Sequence, residues 1–563
     1  MTAVKRWQLK PKNDDVAVKL ADILNISPIV AQLLLNRNIT SVTQANNYLT
    51  VSSQRAQFDK TKLEHFFSLV FNCIKQQRAI FLYGDYDVDG MTSTSMMVRC
   101  LTTLGATVRY KLPHRFKDGY GLNLSVIDLI KQDNCGLLIT LDCGITNVDE
   151  IQAVKHQTDA DVIIVDHHQI PEIQPPADLI INPKSPDTPA ELEQLCTAGI
   201  VLKLVSYIAQ QHTSINLTDY KVLAAIGTVA DVVQLQSENR NIVKDGLAEF
   251  PNHSIVGLTS LLITAQFNKP DLTVRDVGFV IAPRLNAAGR LSTAQYGVEL
   301  LLTSSTSRAK EIANYLESIN KERRFLDQSV VAESQELLQS SPHYTEQSIL
   351  VLGKERWHAG VIGIAASRLV DSYNKPVVVV GIDDSIARGS ARSVGSVNIY
   401  QLLKQCDHLF LSFGGHKQAA GFSLKPELFG QFKETLERVV RTSITSDLLI
   451  DQLDIDMAIQ TKDISFELID QMNSLEPFGF GNKEPLFYSD KLSIIDSKVV
   501  GNGKHLKLTL EDKQSRRYLD AIGFNLGSHI TKTYAKKNHL VFSIERNVWN
   551  NKERIQLNIK DIK

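Results

Sequence analysis

Short apolar runs with sharp polar boundaries recur between about residue 75 and residue 235. Ala79-Ile-Phe-Leu-Tyr83 ends at Gly84-Asp85, Leu137-Leu-Ile-Thr-Leu141 ends at Asp142, and Val162-Ile-Ile-Val165 ends at Asp166-His167-His168. Runs of this length and edge definition read as buried parallel strands. Between them, Met91 to Leu104 reads as a helix of apolar and small residues. Ala106 to Leu112 reads as a further strand, and His114 to Gly121 as a polar, glycine-punctuated loop. Alternating strand and helix predicts a doubly wound α/β domain with a parallel sheet. All strands of such a sheet point one way, so the three acidic tips gather at its carboxyl edge, where open α/β sheets place their sites.

Ser307 to Gln339 contains neither Gly nor Pro, and Ile312, Leu316, Ile319, Leu326, Val330 and Leu337 fall on one seam. The spacing predicts one helix of about 30 residues, or about 45 Å. Two helices with a hidden break are the other reading. A second α/β module begins at Ser348-Ile-Leu-Val-Leu352, includes Pro376-Val-Val-Val-Val380 and the glycine-rich Phe413 to Gly421, and runs to about Thr442. From Leu492 onward five short strands follow, with Tyr518, Phe524, Tyr534 and Trp549 among them. They predict an oligonucleotide-binding barrel, or another small β-barrel of the same strand count.

The chain has 563 residues, 43% hydrophobic and 22% charged, with ample material for several globular domains. The expected divisions are a cap region at 1–50, a catalytic domain at 51–303, a connecting helix at 304–340, a second α/β domain at 341–445 and the barrel at 450–563. No run of eighteen apolar residues appears, so no membrane partner is expected. Six scattered cysteines without a Cys-x-x-Cys pair point to a reducing cytoplasm. Net charge is −1, but residues 491–563 carry fifteen Lys and Arg against seven Asp and Glu, a balance of +8. A basic terminal module on an acidic body fits a polyanionic ligand; taken alone, the charge reads rather as a solvated face.

The acidic tips carry the chemistry. Carboxylates gathered with imidazole repel one another unless cations neutralise them, so the pattern points to a hard-metal site and to phosphoryl chemistry. Asp85, Asp87 and Asp89 alternate before Gly90. The same start opens a calcium loop, but the twelfth position, which should be Glu, is Met96. Asp142, His167 and Asp231 would complete two adjacent cations, and mixed carboxylate and imidazole ligation favours manganese, with magnesium also accommodated. Arg388-Gly-Ser-Ala-Arg392 places two guanidiniums and a hydroxyl on one strand face, a good anion grip.

Gly84-Asp-Tyr-Asp-Val-Asp-Gly90, Leu141-Asp-Cys-Gly144, Asp166-His-His168, Ala230-Asp-Val-Val233, Ala282 to Arg290, Trp357 to Gly363 and Gly414-Gly-His416 together resemble the DHH phosphoesterase family. Within it they are similar to the single-strand-specific DNA exonucleases, over almost the whole chain. The resemblance implies a DHH domain, a connecting helix, a DHH-associated domain and an oligonucleotide-binding domain. It implies hydrolysis from the 5′ end that releases mononucleotides, with two Mn²⁺ or Mg²⁺ ions; a monomer is expected. DNA repair and recombination are the implied setting, with a single-stranded-DNA-binding protein and a RecQ-type helicase as partners. Carried over by position, Asp87, Asp89, Asp142, His167 and Asp231 match metal ligands, and Asp85 and His168 match catalytic or ligand-supporting residues. Ser390 and Arg392 match a 5′-phosphate pocket, with Arg115, Arg290 and Arg388 beside it. His358 and His416 are expected to be structural or to orient substrate. Two other functions use the same motifs: a phosphoesterase for short oligonucleotides or pyrophosphate, and a non-catalytic replication scaffold.

Overall fold

The computed structural model describes residues 5–50, 55–119, 121–340, 347–444, 449, 452–535, 537–549 and 552–563, with the backbone alone at Trp549. Tyr120 of the predicted loop, the Trp549 side chain and most of the expected domain junctions at 341–345 and 445–450 lie outside them. Two compact units divide the chain. One comprises Met1–Arg6, Phe58–Asp231 and Asp245–Gln452; the other comprises Trp7–Gln57, Val232–Lys244 and Leu453–Lys563.

In the first unit the chain runs β1 (Ala79–Gly84), α1 (Val88–Thr103), β2 (Val108–Lys111), β3 (Cys135–Leu141), β4 (Asp161–Val165) and β5 (Leu179–Ile181). It continues through α2 (Thr197–Ala209), α3 (Thr218–Ala230), α4 (Ala282–Leu291) and α5 (Thr306–Ser340). The five strands form one parallel sheet in the order β2-β1-β3-β4-β5. β1 and β3 are buried at every residue, which is why they read as unbroken apolar runs. The chain leaves β1 to one side and returns to β3 on the other, so the crevice between their carboxyl ends is the topological switch point. That crevice is where Asp85 and Asp142 emerge.

α1, α2 and α3 pack against one another. Gly227 on α3 permits it: a Cβ there would lie 2.5 Å from both the Ala198 Cβ and the Thr92 Oγ1. α5 is a single helix of 35 residues, with Ile312, Leu316 and Val330 of the predicted seam buried. Beyond it lie β6 (Leu350–Glu355), α6 (Ile362–Tyr373), β7 (Val377–Ile382), β8 (Ala387–Arg392), β9 (Phe410–His416) and β10 (Ala419–Leu424). These strands form a mixed sheet in the order β9-β10-β8-β7-β6, parallel only between β6 and β7.

The second unit holds the five predicted carboxy-terminal strands in a seven-stranded sheet, with Met457–Ala458 and Phe487–Ser489 added at one edge. Its core joins Val30, Leu33 and Leu34 to Leu508, Leu510, Phe542 and Leu557. The amino-terminal segment, expected as a separate cap, therefore shares one core with the barrel. Three short helices are too few to bury their own apolar faces and need the barrel to do so. No single helix among the described residues is long and apolar enough to cross a membrane.

Candidate metal centre and phosphate pocket

Each acidic side chain is delivered by a different element end. Asp85 follows β1, and its N–H donates to the Leu141 carbonyl (3.1 Å). Asp87 caps α1, its Oδ1 accepting the Gly90 N–H at 3.1 Å. Asp89 lies buried in the first turn of α1. The amino terminus of α2 grips both its oxygens: the Thr197 N–H donates to Oδ2 and the Ala198 N–H to Oδ1, each at 2.8 Å. Asp142 follows β3 with φ +66°, a left-handed conformation unusual for a non-glycine residue. Asp231 is the carboxy-terminal cap of α3; the apolar stretch before it is a helix. His167 reaches all three, its Nε2 lying 3.3 Å from Asp142 Oδ1, 3.6 Å from Asp231 Oδ2 and 4.0 Å from Asp89 Oδ2. Asp166, the third acidic tip, turns inward. It accepts the Ile145 N–H (3.1 Å) and holds the His168 ring through Nδ1 (2.7 Å). Lys184 Nζ donates to the His167 carbonyl.

The electrostatics are those of a crowded anion. Burial, then Asp87, pushes the Asp85 carboxyl well above its ordinary range. Burial followed by neighbouring carboxylates does the same to Asp142 and Asp231. Asp89 is pushed up to about 6 by burial and Asp87, against its N–H bonds. Burial holds His167 down to about 3, a neutral imidazole able to donate a lone pair. Burial also pulls at His168, but its hydrogen bond and charge attraction to Asp166 outweigh this and raise it.

A divalent cation fits this donor set. Asp85 Oδ1 and Asp231 Oδ2 are buried without a hydrogen-bond partner, which is costly unless something else satisfies them. Donor atoms of Asp142, His167 and His168 lie within 4.8 Å of one another, as do those of Asp89, His167 and Asp231, and those of Asp85, Asp87 and Asp142. Oxygen-rich ligation with one or two imidazoles suits Mn²⁺ or Mg²⁺. These seven residues are the ones singled out in the sequence.

Opposite charge stands at the other wall. Arg115 lies over the Tyr86 ring, 5.0 Å from its centroid. Arg290, in the last turn of α4, donates to the Gly360 carbonyl (3.1 Å). Arg392, at the end of β8, donates to Ser390 Oγ (3.0 Å). Burial first, then Arg115, Arg323 and Arg392, brings the Arg290 guanidinium down to about 10, and burial and Arg115 lower Arg392. Gly363, in the first turn of α6, leaves room for this: a Cβ there would sit 2.9 Å from Arg392 Nη2 and from Ser390 Oγ. One cavity of about 310 Å³ is lined by Asp85, Asp87, Asp142 and Asp231 as well as by Arg115 and Arg290.

Three predicted residues stand apart. Arg388 shares the strand face of Ser390 and Arg392, but its Nη1 lies 3.7 Å from Asp383. His358 accepts the Gly360 N–H through Nδ1 (3.0 Å) and meets Phe116 edge-on, bracing the Arg115 loop. His416 is exposed in the β9–β10 hairpin. Sequence reasoning missed Thr197 and Ala198, whose only signal was a run of small residues opening an apolar helix. It also missed Tyr86, Gly363 and Lys184.

A parallel-sheet domain with this acidic switch point, followed by a long helix and a mixed-sheet domain bearing arginines, defines a DHH-type phosphoesterase. Residues 79–228 match the DHH family, N-terminal domain; residues 346–442 match the DHHA1 domain; residues 455–561 match the RecJ OB domain. The chain is 34% identical to the single-stranded-DNA-specific exonuclease RecJ of Bacillus subtilis, over 99% of this chain and 70% of that protein. It is 31% identical to RecJ of Haemophilus influenzae, over 96% and 97% of the two chains. It superimposes on RecJ from Thermus thermophilus in complex with Mn²⁺ with a TM-score of 0.84, at 27% identity, over 99% of this chain and 79% of that one. The chain belongs to the RecJ family.

Proposed function

We propose that this protein is a metal-dependent exonuclease that removes mononucleotides from the 5′ end of single-stranded DNA. The observation that carries the reading is one cavity lined both by carboxylates and by guanidiniums. Asp87, Asp89, Asp142, His167 and Asp231 would hold Mn²⁺ or Mg²⁺, with Asp85 beside them. Held there, such ions would supply activation of water and charge neutralisation at the phosphate and the leaving oxygen. His168, oriented by Asp166, sits at the cavity wall where it can bond a phosphate oxygen or pass a proton. Ser390 and Arg392, with Arg115 and Arg290, hold a terminal phosphate through charge-assisted bonds. A phosphate seated among buried arginines ends the strand there, which favours attack from an end. The 5′ direction follows from the family resemblance, as do repair and recombination and the single-stranded-DNA-binding and RecQ-type helicase partners; a monomer in a reducing cytoplasm is the further expectation, the compartment from the scattered cysteines.

The second unit supports a hold on the rest of the strand. Tyr518, Phe524 and Tyr534 are exposed, in a segment with a +8 charge balance. Sequence-tolerant base stacking on such side chains, with a steep salt dependence, is the expected behaviour.

Oligonucleotides labelled at either end test the proposal. With Mn²⁺, the 5′ label should leave first and as a mononucleotide. First release of the 3′ label would reverse the polarity. Cleavage of pyrophosphate or dinucleotides in preference to long single strands would replace the reading with a small-substrate phosphoesterase.

A further inference from the structure

Two of the acidic residues are tied together by one residue that is neither acidic nor a cation ligand. Thr197 donates its backbone N–H to Asp89 Oδ2 (2.8 Å) and its hydroxyl to Asp142 Oδ1 (3.1 Å). Thr197 is fully buried. Its hydroxyl makes the only hydrogen bond to the Asp142 carboxylate among the described residues. The Asp142 backbone is held at φ +66°, a conformation that persists only where the surroundings enforce it. One side chain thus orients a carboxylate on a strained turn while its own backbone holds a second carboxylate on another element.

We propose that Thr197 is a positioning residue that fixes the spacing of Asp89 and Asp142 and so sets the affinity of the centre for its divalent cation. This rests on the metal-centre reading above. The hydroxyl holds Asp142 Oδ1, the oxygen that His167 Nε2 approaches at 3.3 Å, on a residue that lines the cavity. Partners that orient a metal ligand from behind commonly change affinity 10–100-fold when removed.

Mn²⁺ titrated into the metal-free full-length protein, followed by calorimetry and by the electron paramagnetic resonance of the ion, gives the test. Thr197→Val keeps the shape and the N–H bond to Asp89 but loses the hydroxyl, and should bind Mn²⁺ at least about tenfold more weakly. Thr197→Ser should bind like the parent. Thr197→Ala, which adds no bulk, should match Thr197→Val, so a folding defect peculiar to valine does not decide the result. Parent-like affinity in both Thr197→Val and Thr197→Ala overturns the inference, as does a Thr197→Ser affinity as weak as theirs. Asp142→Ala separates the two levels. If it binds as tightly as the parent, the metal-centre reading fails; if it loses the ion while Thr197→Val and Thr197→Ala keep it, the role given to Thr197 fails alone.

Discussion

The carboxylate cluster at the edge of the parallel sheet and the guanidinium cluster between α4, α6 and β8 are built alike and charged oppositely. In each, side chains from several elements converge with like sign and are largely buried. In each, the charged form is disfavoured by burial first and by neighbours second: Asp89 is pushed up to about 6, Arg290 down to about 10. The two clusters offset each other only in part: Arg115 pulls Asp85 down and Asp87 pulls Arg290 up, yet burial outweighs both. Like charges held together at such cost mark a seat for a ligand of the opposite sign. The sign then separates the ligands: cations suit the acidic cluster, and the phosphate proposed above suits the basic one.

The largest effect should come from the acidic wall. Asp142→Ala or Asp87→Ala should lower hydrolysis by roughly 10³ or more, since a lost ligand removes charge stabilisation of the reacting phosphate. Single-strand affinity should survive, because the basic wall and the second unit are untouched. Substantial Mn²⁺-dependent cleavage by both variants would end the assignment of that wall to cations.

Substitution on the basic wall should be smaller and selective. Arg392→Ala removes charge-assisted bonds worth about 1.5–3 kcal/mol, or roughly 10–100-fold, but only for ends that carry a phosphate. Rates on 5′-phosphorylated and 5′-hydroxyl strands should therefore diverge between variant and parent. Equal losses on both would shift the pocket's role from phosphate recognition to general structure.

Stability against pH distinguishes the walls without substrate. In chelator, Asp85, Asp142, Asp231 and His168 have folded-state values raised above their ordinary ones. Such groups favour the folded state at low pH and lose that contribution as pH rises through their folded values. His167 has the opposite sign, but its depressed value makes its contribution complete above its ordinary 6.5. Above about pH 6.5 the metal-free protein should thus become less stable as pH rises. Excess Mn²⁺ should reverse the slope, because the ion displaces those protons. Melting curves at pH 6.5 and 8, with chelator and with Mn²⁺, measure both slopes; a metal-free slope that is flat or rising would remove the raised His168 from the account.

The smallest effect should come from Gly363→Ala. Its Cβ would press on the Arg392 and Ser390 side-chain ends at 2.9 Å. Flexible ends can yield, so folding should hold while phosphorylated ends lose only a few-fold in rate, on the order of 1 kcal/mol. A large loss of thermal stability would show that the glycine serves packing rather than the pocket.

Much of the acidic wall was legible in the sequence because it sits at strand ends, where an apolar run and its polar stop are adjacent letters. Asp85, Asp142 and His167 could be placed at one edge by the parallel direction alone. The basic wall was legible only in part. Arg388, Ser390 and Arg392 do share a strand face, but which guanidinium joins Arg290 and Arg115 depends on packing between elements far apart in the chain. Arg388 instead faces Asp383. Thr197 left almost no trace, since a hydroxyl and two backbone N–H groups gain their role only from what lies across from them.

By itself the sequence determined the strands, the long helix, the order of the modules and the acidic centre, because periodicity and chain direction are local properties. Tertiary structure alone decided that the amino-terminal helices complete the core of the carboxy-terminal barrel. It also decided that Asp166 holds His168 while His167 meets Asp89, Asp142 and Asp231, and that one α2 residue steadies two carboxylates. Those outcomes rest on close contact between segments separated by tens to hundreds of residues. Burial and like-charge repulsion act through space there, with no period along the chain to record them.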